Sequence, residues 1–318
     1  MSEMISSEPT STSQQVYNKV AIVGSIMMDF VAYSPRIPNV GETIFGSKFE
    51  KNYGGKGANQ AVMLNNLKIP VTMFCKIGQD TFGDEYKQHL EDIGVTVHAL
   101  RAEVGVSTGI ACITVDEKGS NSIVIIPGAN IAITATDIYQ PNNINNNNCW
   151  RNEILKSKVI VCQNEIGRTG TETVLKMIYD YNKSNNNTNS SKLTIFNPAP
   201  ATKECLEYLG YADIVCPNEV ELSMLTDMPT DTDSEIELAA MKLIGMVGTG
   251  SDSDMGCKVV IVTLGSRGAC ICRNSTNNTN NTNNTNNNSN CIRFVSAPVV
   301  NCIDTVGAGD CFIGRLLG

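Results

Sequence analysis

Asp304-Thr305-Val306-Gly307-Ala308-Gly309-Asp310, near the end of the chain, combines small residues with carboxylates in an order suited to phosphate chemistry. An apolar, β-prone run, Ala297 to Ile303, leads into it, and the apolar run Cys311 to Leu317 leads out as a helix. A strand-to-helix turn of this kind gathers unpaired backbone N–H groups and the positive end of a helix dipole at one spot. Such a spot holds anions, most often phosphate. Asp310 falls in the first helical turn, where a carboxylate could take a proton from a nucleophile attacking that phosphate. Glycines at a helix start also occur with no ligand, and Asp304 alone could be a turn-forming residue.

Three further stretches carry polar groups at useful spacing. Asn52 to Gln60 places glycines at 54, 55 and 57 around Lys56, so the backbone can approach a ligand while Lys56 and Asn59 hydrogen-bond hydroxyls. It is not a Walker loop, since no Gly-Lys-Ser/Thr closes it, and a glycine-rich turn before a helix is the other reading. Asn218 and Glu221 stand three apart, which taken alone suits a polar helix cap. Thr263 to Gly268 follows a strand pattern directly.

The elements that must position these residues alternate. Val20 to Val23 is a continuous apolar run ending at Gly24, as expected of a strand buried on both faces. Phe30 to Tyr53, broken by Pro35, Pro38 and Gly41, predicts short antiparallel strands apart from the main sheet, and a hairpin over 108–126 could join them. Val71 to Ile77 predicts a strand, and Gly83 to Ile93 a helix closed by Gly94. From Val159 onward strand and helix take turns: strands at 159–162, 193–196, 214–216 and 259–264, helices at 171–181, near Glu204, from Glu219 and at 235–246. This pattern predicts a parallel α/β sheet with helices on both faces. Ligands then sit at the carboxyl ends of strands, where Glu165, Asn197, Asn218 and Thr263 fall. The Asn-rich tracts 142–148, 184–191 and 274–290 lie between elements and read as loop insertions.

Composition narrows the partners. A formal net charge of −8 over 318 residues offers no basic field for nucleic acid or an anionic membrane. No apolar run reaches the ~18 residues of a membrane span. Residues 1–17 read as a disordered tail without a secretory or mitochondrial leader, so the cytoplasm is expected, with the nucleus as the alternative. Twelve cysteines without a Cys-x-x-Cys read as free, mostly buried thiols, and the two histidines, His89 and His98, as surface residues.

Taken in order, Gly24-Ser25-Ile26-Met27-Met28-Asp29, Gly54 to Asn59, Pro217 to Glu221, Thr263 to Gly268 and Asp304 to Asp310 resemble the ribokinase family of carbohydrate kinases. The similarity runs from about Lys19 to the last residue. Gly54 to Gln60 and Phe196-Asn-Pro-Ala-Pro-Ala201 are closer to its ribokinase-type members than to its adenosine kinases or fructokinases. The resemblance implies a ribokinase-like α/β fold over 18–318, a mostly parallel sheet flanked by helices, with a small β-sheet lid from about 30–53 and 107–127. It implies ATP-dependent phosphorylation of D-ribose at the 5-hydroxyl, with Asp310 as general base and amides of Gly307, Ala308 and Gly309 as the anion hole. Sugar contacts would come from Met27, Met28, Asp29, Gly55, Lys56, Gly57, Ala58, Asn59, Glu165 and Asp310. The nucleotide would meet Asn218, Thr263, Leu264, Gly265, Ser266, Arg267, Gly268, Gly309 and Asp310. Mg²⁺ would be held through water by Asn218 and Glu221, and an activating K⁺ by Asp304 and the carbonyl of Val306; a homodimer through the lid is also implied.

Three departures stand out: Met27 replaces an Asn common in the family, Arg315 replaces a small residue and could crowd its helix, and the chain ends at Gly318. Family members continue with helices that complete the adenine pocket, so the sequence reads as truncated there. Two rival readings follow, a kinase of another sugar or nucleoside and a truncated, non-catalytic sugar-binding product. A dinucleotide-binding dehydrogenase is weaker, because no Gly-x-Gly-x-x-Gly follows the first strand.

Overall fold

A computed structural model describes residues 19–140, 149–185, 190–247, 256–273, 291–301, 305 and 307–317. The expected tail (1–17), the tracts 142–148 and 274–290, residues 186–189, and the expected K⁺ ligands Asp304 and Val306 lie outside them.

Along the chain, β1 (Val20–Val23), β2 (Met27–Ser34) and β3 (Lys48–Gly54) precede α1 (Lys56–Asn66). Then come β4 (Val71–Ile77), α2 (Thr81–Asp92), β5 (Thr96–Arg101), β6 (Ile110–Asp116) and β7 (Asn121–Ile126). Two short helices, α3 (Ala135–Tyr139) and α4 (Trp150–Ile154), lead to β8 (Val159–Gln163), α5 (Gly167–Ser184), β9 (Leu193–Asn197) and β10 (Ile214–Val215). The last elements are α6 (Glu219–Thr226), α7 (Asp233–Val247), β11 (Val259–Thr263), β12 (Ala269–Arg273), β13 (Cys291–Val295) and α8 (Ala308–Arg315).

Nine strands form one sheet in the order β13-β12-β11-β10-β9-β8-β1-β4-β5. Pairing is parallel from β11 through β5, and β12 and β13 close one edge antiparallel. Successive strand residues point to opposite faces, so each strand feeds two cores: Ile160 and Cys162 pack with Trp150 and Phe196 on one side, Val159 and Val161 with Leu64 and Met73 on the other. That double burial explains the unbroken apolar runs. β3-β2-β6-β7 make a separate four-stranded sheet, with β2 antiparallel to β3 and parallel to β6. No helix among the described residues is long and apolar enough to cross a membrane.

Several elements differ from expectation. β5 and the β12–β13 hairpin were not anticipated; β5 pairs with β4 across α2, and the two hairpin strands are separated in sequence by the tract 274–290. Residues 297–301 are not the expected strand, which lies upstream at Cys291–Val295. Pro298 removes a ladder donor there, and Val299 and Val300 are exposed. The helix near Glu204 is two 3₁₀ turns, Lys203–Glu207 and Leu209–Tyr211. Neither histidine is a free surface residue: His89 stacks on Tyr53 with ring centres 3.8 Å apart, and His98 on Phe74 at 5.0 Å. Arg315 is exposed and crowds nothing; the tight contact between α8 and α1 falls at Gly314, where a Cβ would lie 2.8 Å from Met63 Cγ.

Candidate active site

The turn after β1 and the start of α1 meet backbone to backbone. A Cβ on Gly57 would lie 2.7 Å from both Gly24 Cα and Ser25 N, so only glycine allows this approach. Gly55, at φ +93°, turns the chain into α1, and the Ala58 N–H donates to the Ser25 carbonyl at 3.0 Å. This contact presents polar groups at one end of the site. Glu165, just beyond β8, accepts from Ser25 Oγ at 2.5 Å and from the Lys56 N–H at 2.9 Å. Asp29 on β2 lies against Gly54, and burial, with the charge of Glu165 second, pushes its carboxyl up to about 6. Met27 is buried beside them, paired in register with Gly54, while Met28 points the other way into the core. Gly57 and Ala58 are buried by the same close packing.

A cavity of about 220 Å³ lies at the carboxyl ends of β9, β10 and β11. Lys56, Asn218, Glu221, Thr263 and the turn Gly307 to Asp310 line it. Gly307, at φ +69°, starts α8, whose first-turn amides have no partner within the helix, although the Ala308 N–H donates to the Thr305 carbonyl at 3.1 Å. Asp310 is buried, and both its carboxylate oxygens are held from α1: Asn59 Nδ2 donates to Oδ2 and Gln60 Nε2 to Oδ1, each at 3.0 Å. Behind Gln60, Gln163 Nε2 donates to Gln60 Oε1 at 2.6 Å. The loop expected to hold a sugar and the turn expected to hold a phosphate therefore join through α1.

Asn218 and Glu221 form a reciprocal capping box on α6, each side chain accepting the other's N–H at 2.8 Å. Such a cap is worth about 1 kcal/mol, yet both residues also face the cavity. Burial raises the Glu221 carboxyl, opposed by its bond to the Asn218 N–H and by Lys56. One Glu221 oxygen is spent on the cap, and the other is open to a cation held through water, which fits the donor set Mg²⁺ prefers. Among the described residues no cluster of three His, Cys, Asp or Glu side chains offers direct coordination.

The stretch Thr263 to Gly268 divides. Thr263 lines the cavity and bridges Asn218, Leu264 is buried, and Gly265, Ser266 and Arg267 are exposed. Arg267 is engaged by Glu219 and Asp233. Gly268, at φ +102°, packs under Val295, where a Cβ would be 1.9 Å from the carbonyl oxygen. Ser25, Gln60 and Gln163 were missed as site residues. Gln60 directly follows Asn59 in the glycine-lysine motif, and Gln163 is a lone polar residue ending an apolar strand; both were legible signals.

Comparison with known proteins bears on the family and the fold. Residues 17–318 match the model of the pfkB family of carbohydrate kinases. The chain belongs to that family. It is 31% identical to the ribokinase of Mus musculus over 93% of this chain and 80% of the relative, and 34% identical to the deoxyribokinase of Salmonella typhi over 93% and 83%. A structure of Arabidopsis thaliana ribokinase complexed with ribose and ATP superposes with a TM-score of 0.72 at 27% identity, over 94% of this chain and 84% of that one. The pfkB-family chain is thus a sugar kinase with the ribokinase-like α/β fold, a large mostly parallel sheet and a small separate one.

Proposed function

We propose that this pfkB-family kinase transfers the γ-phosphoryl group of ATP to the 5-hydroxyl of D-ribose. The observation that carries the reading is Asp310, buried at the start of α8 and gripped by Asn59 and Gln60 of the sugar-side helix. Asp29, Gly55, Lys56, Asn59 and Glu165 hold the sugar hydroxyls. Asp310 takes the proton of the 5-hydroxyl as its oxygen bonds to the γ-phosphorus and the bond to the bridging oxygen of ADP breaks. Amides of Gly307 and Gly309 carry the charge on the transferring group, while the Ala308 N–H is held by the Thr305 carbonyl. Asn218 and Glu221 would hold Mg²⁺ through water, and the ion would supply neutralisation of phosphate charge. The small sheet acts as a lid that excludes water. Ribose-dependent ADP formation from ATP and Mg²⁺, in KCl and in NaCl, tests the proposal; ATP turnover that ignores ribose would overturn it. The Salmonella typhi deoxyribokinase favours a second acceptor, 2-deoxy-D-ribose, and kcat/KM for the two sugars side by side decides between them.

Asp29 makes the sugar end sensitive to pH. Its carboxyl moves from an ordinary 3.8 to about 6 in the folded protein. A raised folded-state value means that Asp29 favours folding only while protonated, a contribution full below 3.8 and lost as pH rises through about 6. Asp29→Asn is therefore expected to raise Tm at about pH 8 but not at about pH 4. Ribose affinity of the parent protein should fall as pH drops through about 6, because the protonated carboxyl gives up acceptor capacity. Calorimetric titration across that range checks it, and a flat profile counts against Asp29 as a sugar ligand.

The outer sheet carries the homodimer. All of β7 is exposed, with Ile123 and Ile125 on one face and Val124 and Ile126 on the other, the second pair an apolar edge suited to burial against a second lid. Light scattering is expected to give a dimer mass, and Val124→Asp with Ile126→Asp a monomer.

A further inference from the structure

Gln60 and Gln163 are both fully buried behind the cavity, and neither lines it. Their amides run in one direction. Asn197 donates its Nδ2 to the Cys216 carbonyl at 2.8 Å, which leaves its Oδ1 facing Gln60. Gln60 therefore meets two acceptors, Asp310 Oδ1 at 3.0 Å and Asn197 Oδ1 at 3.4 Å, and must present its NH₂ to both. Its own Oε1 then needs a donor, which Gln163 Nε2 supplies at 2.6 Å. Gln163 Oε1 is left buried with no partner among the described residues, against Gly24, where even a Cβ would come within 2.1 Å of it. Turning Gln163 over would set carbonyl against carbonyl at Gln60. The fold thus tolerates one orphaned carbonyl at the far end so that every donor in the row points toward Asp310.

We infer that Gln60 and Gln163 are positioning residues for the phosphoryl transfer: a directed pair of buried amides that, opposite Asn59, fixes the plane of the Asp310 carboxylate. This rests on the reading of Asp310 as the base. With Asn59 on Oδ2 and Gln60 on Oδ1, the carboxylate cannot swing about its Cβ–Cγ bond, and its remaining lone pairs keep one aspect toward the cavity. Gln163 does not touch Asp310; it acts by keeping Gln60 from turning its carbonyl to the carboxylate.

The test uses the full chain with D-ribose and ATP and compares Gln60→Leu, Gln163→Leu, the double variant and Asp310→Asn. Misplacing a reacting group by about 1 Å costs on the order of 100-fold in rate. Gln60→Leu is expected to lose about that factor in kcat, and Gln163→Leu about tenfold, with ribose affinity by calorimetry within about twofold of the parent. The double variant should be no slower than Gln60→Leu alone, since Gln163 then has nothing to orient. A purely structural role would instead lower Tm and ribose binding together while kcat per folded molecule stayed unchanged, and that result overturns the inference. Full kcat in both folded Leu variants beside an inactive Asp310→Asn overturns the pair alone and leaves the proposed function standing. An active Asp310→Asn overturns both. Should Gln60→Leu not fold, Gln163→Leu decides by the same comparison.

Discussion

Asp310→Asn is expected to lower turnover by about 10³-fold or more, the range set by loss of a positioned general base, while the protein stays folded and still binds ribose. The substitution keeps shape and volume and replaces one carboxylate oxygen with an NH₂ group that cannot take a proton. Its structural cost is small. Gln60 can keep its bond to the remaining oxygen, and Asn59, which is only half-buried, can turn its amide to offer a carbonyl to the new NH₂. A lost or remade bond of that kind amounts to about 1 kcal/mol, small beside the ~4 kcal/mol that a thousandfold rate loss represents. Single-turnover phosphoryl transfer with thermal unfolding and ribose calorimetry separates the two effects. Turnover within tenfold of the parent would remove Asp310 from the role of base.

What could be read in advance was what is local. Val71 to Ile77 forms the strand its apolar run predicts, and Gly94, at φ +99°, follows α2 where a left-handed cap was expected. The motif residues were legible because tight turns need glycine at fixed places, as at Gly55 and Gly307. What escaped was non-local. Gln60 and Gln163 are separated by 103 positions, and nothing in either neighbourhood says that their amides meet. Apolar content alone misplaced a strand over residues 297–301, because a strand needs a partner and a face to bury, and the exposed Val299 and Val300 have neither. The Asn218–Glu221 pair was open between a cap and a cation site. It forms the cap and still lines the cavity, so the two readings were never exclusive.

Gly57→Ala should be strongly damaging although it adds a single methyl group to the sugar-side loop. Two effects oppose each other. Alanine gains up to about 1 kcal/mol over glycine in helix propensity, less in the first turn where Gly57 sits. Against that, its Cβ would lie 2.7 Å from Gly24 Cα and Ser25 N and 2.8 Å from Gly24 C, all backbone atoms that no rotamer change can move. Overpacking of this kind costs about 1–3 kcal/mol, so the clash wins. Relief requires α1 to lift from the turn after β1. That motion draws the Lys56 N–H and Ser25 away from Glu165 and carries Asn59 and Gln60 away from Asp310. Ribose affinity and kcat are therefore expected to fall together, each by tenfold or more by the ~1 Å criterion, along with a Tm several degrees lower. Gly245→Ala is the control. Gly245 lies in α7 with nothing within 4 Å of a new Cβ, so propensity acts unopposed and Tm should rise slightly with activity intact. If Gly57→Ala behaves like Gly245→Ala, the close contact between α1 and the turn after β1 does not hold the site together.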